Sequence, residues 1–487
     1  MRRTIGLFLG PVIFVSFIFF PGPETMSQNA MYTAGIALLM ATWWLTEAIP
    51  IPVTALLPLV LFPALGVTTI SDVSANYGNH IIFLFMGGFF IAKAVEKWHL
   101  HKRIALHTIR LVGVTPGRII LGFMLVTAFL SMWVSNTATT MMMVTIAMAI
   151  LQQNNNLVNR TESNQASHAM FATALMLGIA YAASIGGVAT LIGTPPNAIL
   201  AGIVEQQYGV TISFVDWMMF GLPLAIIMLT VAWVYLTKLA YRDINFELTG
   251  GKKTIEQEIN KLGTMSKQEK QVLIVFVSVA IAWIVRGLVD IDAFKMIKDS
   301  TIAIAGAIIL FIIPASENKK EFLLDWQTAV KIPWDILILF GGGFALAHVV
   351  ASSGLTQWIG QALSVLQGSN LVLVILVVVT IVVFLTEITS NTATATLLIP
   401  VMGALASAIN SHPLGLMVAA ALAASFAFML PVATPPNAIV FSSRRVTIPQ
   451  MARAGIWLNL AGIIVITMFV MLLLPAIWGI DIHLFPG

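Results

Sequence analysis

The sequence predicts an all-α polytopic membrane protein: eleven transmembrane helices and two re-entrant hairpins, arranged as an inverted repeat. Three observations lead there. The 487 residues are 58% hydrophobic and 9% charged, where soluble domains are about 45–50% apolar and about 25% charged. Apolar segments of bilayer-spanning length follow one another along the chain, and three short motifs occur twice in the same order. This composition excludes a soluble enzyme, a nucleic-acid binder and a peripheral membrane protein. The absence of cysteine excludes disulfides, thiolate metal sites and cysteine nucleophiles.

The first apolar segment, 4–21, follows Arg2 and Arg3 and resembles a secretory signal. Pro21-Gly22-Pro23-Glu24 is a poor cleavage site, however, and a second apolar segment follows at once, so 4–21 reads as the first span. Further spans fall at 31–47, 52–66, 80–95, 168–205, 213–238, 271–289, 299–314, 334–350, 415–441 and 455–478. About twenty apolar residues cross a hydrocarbon core of roughly 30 Å. Two other stretches, 119–151 and 370–408, are too long for one span and are interrupted by Ser-Asn-Thr. Each reads as a re-entrant helical hairpin, because irregular backbone survives at membrane depth only where protein or a wet cavity satisfies it.

The charges agree with this count. With the N-terminus inside, only Arg286, Lys295 and Lys298 of the 25 basic residues fall outside, as the positive-inside rule requires. The net charge of +4 therefore reports topology, not an acidic partner. The C-terminus is then external, and the polar stretch 241–270 is a cytoplasmic connector between two halves. The sequon Asn159-Arg160-Thr161 falls in a cytoplasmic loop and reads as chance.

Leu84-Phe85-Met86-Gly87-Gly88-Phe89 recurs as Leu339-Phe340-Gly341-Gly342-Gly343-Phe344, 255 residues later. Ser135-Asn136-Thr137-Ala138-Thr139 recurs as Ser390-Asn391-Thr392-Ala393-Thr394 at the same offset. Thr194-Pro195-Pro196-Asn197 recurs as Thr434-Pro435-Pro436-Asn437 at offset 240, the longer polar linker 152–168 absorbing the difference. An odd number of crossings between equivalent elements makes the repeat inverted. Inverted repeats with discontinuous helices in matching places point to a midplane site of a secondary transporter. Proline removes a backbone donor and disfavours helix in the residue before it, so both helices should break at Thr-Pro-Pro-Asn. Proline kinks used only for packing would explain either copy alone, but not the pairing of both with a hairpin.

An unwound Ser-Asn-Thr tip offers carbonyl and hydroxyl oxygens to a hard cation. Its amide hydrogens, hydroxyls and helix N-termini can serve an anion. Neither hairpin interior holds a lysine or arginine, so a buried dianion needs a mobile positive partner. The outline is anion plus cation symport.

These paired motifs, together with Thr46-Glu47-Ala48-Ile49-Pro50 and the stretch from Glu96 to Arg103, resemble the divalent anion:sodium symporter family of sodium-coupled di- and tricarboxylate carriers. The resemblance covers essentially the whole chain. It implies a homodimer, an elevator motion, C4 dicarboxylate substrates such as succinate, malate or fumarate, and sodium as coupling ion with no organic cofactor. It further implies scaffold helices over 1–112 and 271–355. The transport domain would comprise 113–240 (hairpin 119–151, broken helix 168–205, helix 213–238) and 365–487 (hairpin 370–408, broken helix 415–441, helix 455–478). Carried onto matching positions, the first sodium site takes Ser131, Ser135, Asn136 and the backbone of Gly193. The second takes Thr386, Ser390, Asn391 and the backbone of Ala433. Substrate carboxylates fall to Asn136, Thr137, Asn391 and Thr392, with Thr194, Pro195, Thr434 and Pro435 lining the pocket. Gly193 faces Ala433, and Ser131 is matched to Thr386 with a one-residue register shift.

Glu387 has Met132 as its counterpart and reads as either a proton carrier or an acceptor for nearby backbone donors. Glu47, before Ile49-Pro50, reads as structural. His99 and His101 stand among Lys97, Lys102 and Arg103, as in an interfacial amphipathic segment rather than a metal pair. Trp43, Trp44, Trp217, Trp334 and Trp478 fall near span ends, as interface anchors do. No zinc-protease, nucleophile-elbow or phosphate-loop motif occurs, so an enzyme is not expected. The expected location is a plasma membrane, that of a bacterial inner membrane, with lipid, sodium and a small dianion as partners and no nucleic acid. Carriage of citrate, 2-oxoglutarate or sulfate, sodium-independent exchange, and a passive anion channel are the competing readings.

Overall fold

The computed structural model describes residues 2–19, 22–113, 115–155, 162–242, 244, 251–289, 296–316 and 321–486. The sequon at 159–161 lies outside them. Among the described residues the regular structure is helical. The first part of the chain forms α1 (Arg2–Phe19), α2 (Gln28–Thr46), α3 (Ile51–Thr54), α4 (Leu57–Ala64), α5 (Ile70–Ala75), α6 (His80–Lys97) and α7 (Leu100–Val112). Then come α8 (Pro116–Ser131), α9 (Asn136–Asn155), α10 (Glu162–Val188), α11 (Pro195–Tyr208) and α12 (Phe214–Val234), the last extended by a π-helix over Tyr235–Ala240. The second half holds α13 (Gly251–Leu262), α14 (Lys267–Leu288), α15 (Asp299–Ile312), α16 (Trp326–Ala329), α17 (Trp334–Ser352) and α18 (Leu355–Leu363). It ends with α19 (Leu371–Thr386), α20 (Asn391–Ala408), α21 (Pro413–Ala423), α22 (Pro435–Ser442) and α23 (Ile448–Trp478).

Among the described residues eight helices are long and apolar enough to cross a bilayer, or nine when the pair 355–366 and 371–386, bent by 118°, is taken as one. This is fewer than the eleven expected, and breaks divide several of the apolar segments. The stretch 415–441 becomes α21 and α22, and 52–66 becomes α3 and α4 around Pro58. Conversely α20, expected as a hairpin arm, passes the length test by itself.

The repeat is legible in the helix boundaries. Offset 255 carries α8 onto α19 end for end and the turn 132–135 onto 387–390. It also sets Ser131 opposite Thr386, each the last residue of its arm, which removes the one-residue shift expected above. Phe85 and Phe340, equivalents in the repeat, meet edge to face with ring centroids 5.0 Å apart, so α6 and α17 pack where the two halves join. The paired glycines on these helices admit other backbone on their further sides. A Cβ on Gly87 would stand 2.6 Å from the Ala303 backbone, and one on its equivalent Gly342 would stand 2.2 Å from the Ala55 carbonyl oxygen.

The hairpins interlock across the halves. Helix α9 packs on α22, and α20 packs on α11. Each second arm thereby touches the post-break helix of the other repeat, which brings the two tips together. Arg103 pairs with Glu269 at 2.8 Å, Lys102 with Glu258 at 3.0 Å and Lys97 with Asp325 at 2.8 Å, anchoring the basic segment at 97–103. Two tryptophans depart from expectation. Trp44 and Trp217 are fully buried, and their indole N–H groups donate to the Ile51 and Val188 carbonyls. They brace backbone instead of marking an interface.

Candidate functional site

Both apolar helices break where the prolines require it. Thr194 and Thr434 are extended, with φ −146° and −143°, and each precedes a helix that starts on proline. Between α10 and α11 residues 189–194 leave the helix; between α21 and α22 residues 424–434 do. The motif asparagines stitch these segments. Asn197 Nδ2 donates to the carbonyls of Gly187, Val188 and Thr190 at 3.3, 3.3 and 2.7 Å. Asn437 Nδ2 donates to those of Ala427 and Leu430 at 3.2 and 3.0 Å. Both asparagines are fully buried, and offset 240 relates the shared partners. Sequence reasoning gave them no role, although their recurrence as the fourth motif residue marks them.

The hairpin turns are tied to the breaks. The Thr190 hydroxyl donates to the Met132 carbonyl at 2.6 Å. In the second half the Thr386 hydroxyl contacts both Asn391 Oδ1, at 2.6 Å, and the Ala424 carbonyl, at 3.0 Å. Glu387 accepts from backbone N–H groups of the same break. In the first half Ser131 Oγ and Asn136 Oδ1 are buried without a hydrogen-bond partner. Gly193 lies near Asn136: a Cβ on Gly187 would meet the Gly193 carbonyl oxygen at 2.9 Å and Asn136 Oδ1 at 3.0 Å. Two of the candidate ligands, Asn136 and Gly193, are thus brought together, and Ser131 ends the arm that leads into the same turn. No cluster of three His, Cys, Asp or Glu that could hold a metal exists among the described residues, and the candidate ligands at this tip carry neutral oxygens, the kind a hard alkali ion takes.

The two tips face one cavity of about 300 Å³, at the small end of ligand pockets. Ser135, Asn136, Thr137, Gly193, Thr194 and Pro195 line it from one half, and Ser390, Asn391, Thr392, Ala433, Thr434 and Pro435 from the other. Of the expected site residues only Ser131 and Thr386 stand behind the wall, both fully buried. Phe85, Phe89, Ile192, Ile336, Val432, Pro436 and Glu47 also line it, as do Ser184 and Ser425. Glu47, read from sequence as structural, also caps α2 in the left-handed region at φ 51°. Among the described residues no lysine or arginine lines the cavity.

Four helices, α9, α11, α20 and α22, begin at residues that line this space. Each N-terminus contributes roughly half a positive charge, set against Glu47, the acidic residue on the same wall. A larger cavity, about 830 Å³ between α12, the π-helix and α23, holds none of the paired motifs.

Residues 2–482 match the family described as the sodium:sulfate symporter transmembrane region. The chain is 46% identical over 483 residues to the sodium-dependent dicarboxylate transporter SdcS of Staphylococcus saprophyticus, covering 99% of this chain and 93% of that one. It is 46% identical over 484 residues to SdcS of Staphylococcus aureus strain USA300, with the same coverage. Among solved structures, the fold is similar to the YdaH transporter of Alcanivorax borkumensis at TM-score 0.58 and 11% identity, covering 93% of this chain and 99% of that one. It is similar to MtrF of Neisseria gonorrhoeae at TM-score 0.60 and 12% identity, covering 96% and 95%.

Proposed function

The chain belongs to the sodium:sulfate symporter transmembrane family, and from that membership we propose that it is a secondary active transporter coupling inward sodium flux to uptake of C4 dicarboxylates such as succinate, malate and fumarate. The observation behind this reading is the shared cavity: two mirrored tips and four helix N-termini surround a space without lysine or arginine. Helix dipoles and amide hydrogens attract a dianion, and sodium beside it supplies the remaining positive charge. Ser131, Ser135, Asn136 and the Gly193 carbonyl hold one ion; Thr386, Ser390, Asn391 and the Ala433 carbonyl hold the other. Asn136, Thr137, Asn391 and Thr392 hold the carboxylates, with Thr194, Pro195, Thr434 and Pro435 around them. The unpaired Ser131 and Asn136 oxygens support the first sodium site. The protein is a homodimer of the plasma membrane with its N-terminus in the cytoplasm, and residues 113–240 and 365–487 move as an elevator against the rest.

Uptake of labelled succinate into proteoliposomes tests this directly. An inward sodium gradient should drive accumulation, whereas uptake unchanged by replacing sodium with choline would reject the coupling. The family description names sulfate, so unlabelled sulfate and citrate belong in the same assay as competitors. Stronger competition by either than by malate would transfer the assignment to that anion.

A further inference from the structure

Glu387 follows Thr386 at the end of α19 and is 3% exposed. Every hydrogen-bond partner of its carboxylate is a donor. Oε1 accepts from the Phe428 and Met429 backbone N–H groups at 2.7 and 2.9 Å and from Asn459 Nδ2 at 2.8 Å. Oε2 accepts from the Leu430 N–H at 3.0 Å. All four donors are neutral.

The repeat explains what this residue changes. Offset 255 sets Met132 opposite Glu387, and Met132 has no side-chain acceptor of comparable strength. In the first half α10 stays helical to Val188, and the break spans 189–194. In the second half α21 stops at Ala423, and the break spans 424–434. Residues 424–428, equivalent by offset 240 to the helical residues 184–188, are thus already unwound in the second half; Phe428 falls among them, while Met429 and Leu430 match Ala189 and Thr190, which lie in the break of both halves. Buried N–H groups that lose their helical acceptors must find others. Glu387 supplies them, while Asn437 ties the carbonyls of Ala427 and Leu430.

We propose that Glu387 is a positioning residue for the second sodium site: its carboxylate holds 428–430 unwound and so aims the Ala433 carbonyl toward Thr386 and Asn391. This rests on the symport reading above and goes beyond it, because it makes the two ion sites unequal. The second depends on a buried side-chain acceptor that the first lacks.

The test measures the sodium dependence of succinate uptake for Glu387→Gln and Thr386→Ala beside the unaltered protein. Outer groups that orient metal ligands are worth about 10–100-fold in affinity, and Glu387→Gln should raise the half-saturating sodium concentration within that range. Excess sodium should restore the rate, and the KM for succinate at saturating sodium should stay nearly constant. Asn459→Ala, which keeps the carboxylate and removes one donor, should give a smaller rise in the same direction and serves if Glu387→Gln does not fold. A raised sodium requirement for Thr386→Ala alone, with Glu387→Gln and Asn459→Ala losing only maximal rate, would reduce Glu387 to a packing role and overturn the proposal. An unchanged sodium requirement for Thr386→Ala would instead refute the second ion site itself, and the proposal with it.

Discussion

Ser131 Oγ and Asn136 Oδ1 are buried oxygens with nothing to accept from. An unsatisfied buried polar atom costs about 1–3 kcal/mol, and on the proposed assignment a cation bound there would recover that cost. Ser131→Ala should therefore leave the sodium-free melting temperature equal or higher, yet shrink the rise in melting temperature that sodium produces. A thermal-shift titration reads both, and an undiminished sodium shift would exclude Ser131 as a ligand. Asn197 and Asn437 behave in the opposite way. They satisfy carbonyls that the prolines set free, so Asn197→Ala or Asn437→Ala should destabilise the protein by about 1–3 kcal/mol with or without sodium. The tip residues were legible in the sequence because they recur in register with the hairpins. The stitching by Asn197 and Asn437 was not, since it depends on carbonyls up to ten residues upstream that become available only once the helix breaks. Glu387 was half legible: an acid in apolar surroundings called for a role, but its donors come from residues 428–430 and 459, far away in sequence.

At the scale of elements, the motif offsets located both hairpins and both breaks, and the helix ends follow them. Span counting by length gives fewer spans than expected, because an apolar stretch such as 415–441 is divided into the short helices α21 and α22, neither of which passes a length test alone. The breaks also differ in what they tolerate. A Cβ on Gly193 would lie 2.4 Å from the Gly187 carbonyl oxygen and 2.9 Å from its Cα, both backbone atoms that cannot swing aside. Its equivalent in the second half is Ala433, which already carries a Cβ and stands in a longer break. Gly193→Ala should therefore abolish uptake or folding, whereas Ala433→Gly should leave folded yield near normal. Comparing monodisperse protein after purification with uptake per folded molecule separates the two, and equal effects of both changes would mean the halves are packed alike.

For the whole molecule, the informative contacts join elements that an elevator must slide past each other. Glu205, at the end of α11, pairs with His80 at the start of α6 and with Lys298 before α15. Beside it Gln206 donates to Asn76 and Gln207 to the Ala347 carbonyl. Offset 255 turns His80 into Asp335, and offset 240 turns Glu205 into Arg445, so the repeat carries the same pair with the charges exchanged. Asp335 and Arg445 form no ion pair with each other in this conformation. A moving domain related to itself by an inverted repeat reaches its second position by exchanging the contacts of the two halves, so that position should close Asp335 on Arg445 and open Glu205. The chain has no cysteine, which makes cross-linking clean. His80→Cys with Glu205→Cys should cross-link in the conformation described here and stop uptake until a reductant is added. Asp335→Cys with Arg445→Cys should cross-link only in protein that is free to move, and should fail once the first pair is locked. If the second pair never cross-links under sodium, substrate or their absence, while the first does so readily, the motion does not exchange the two halves and the elevator reading fails at its geometric premise.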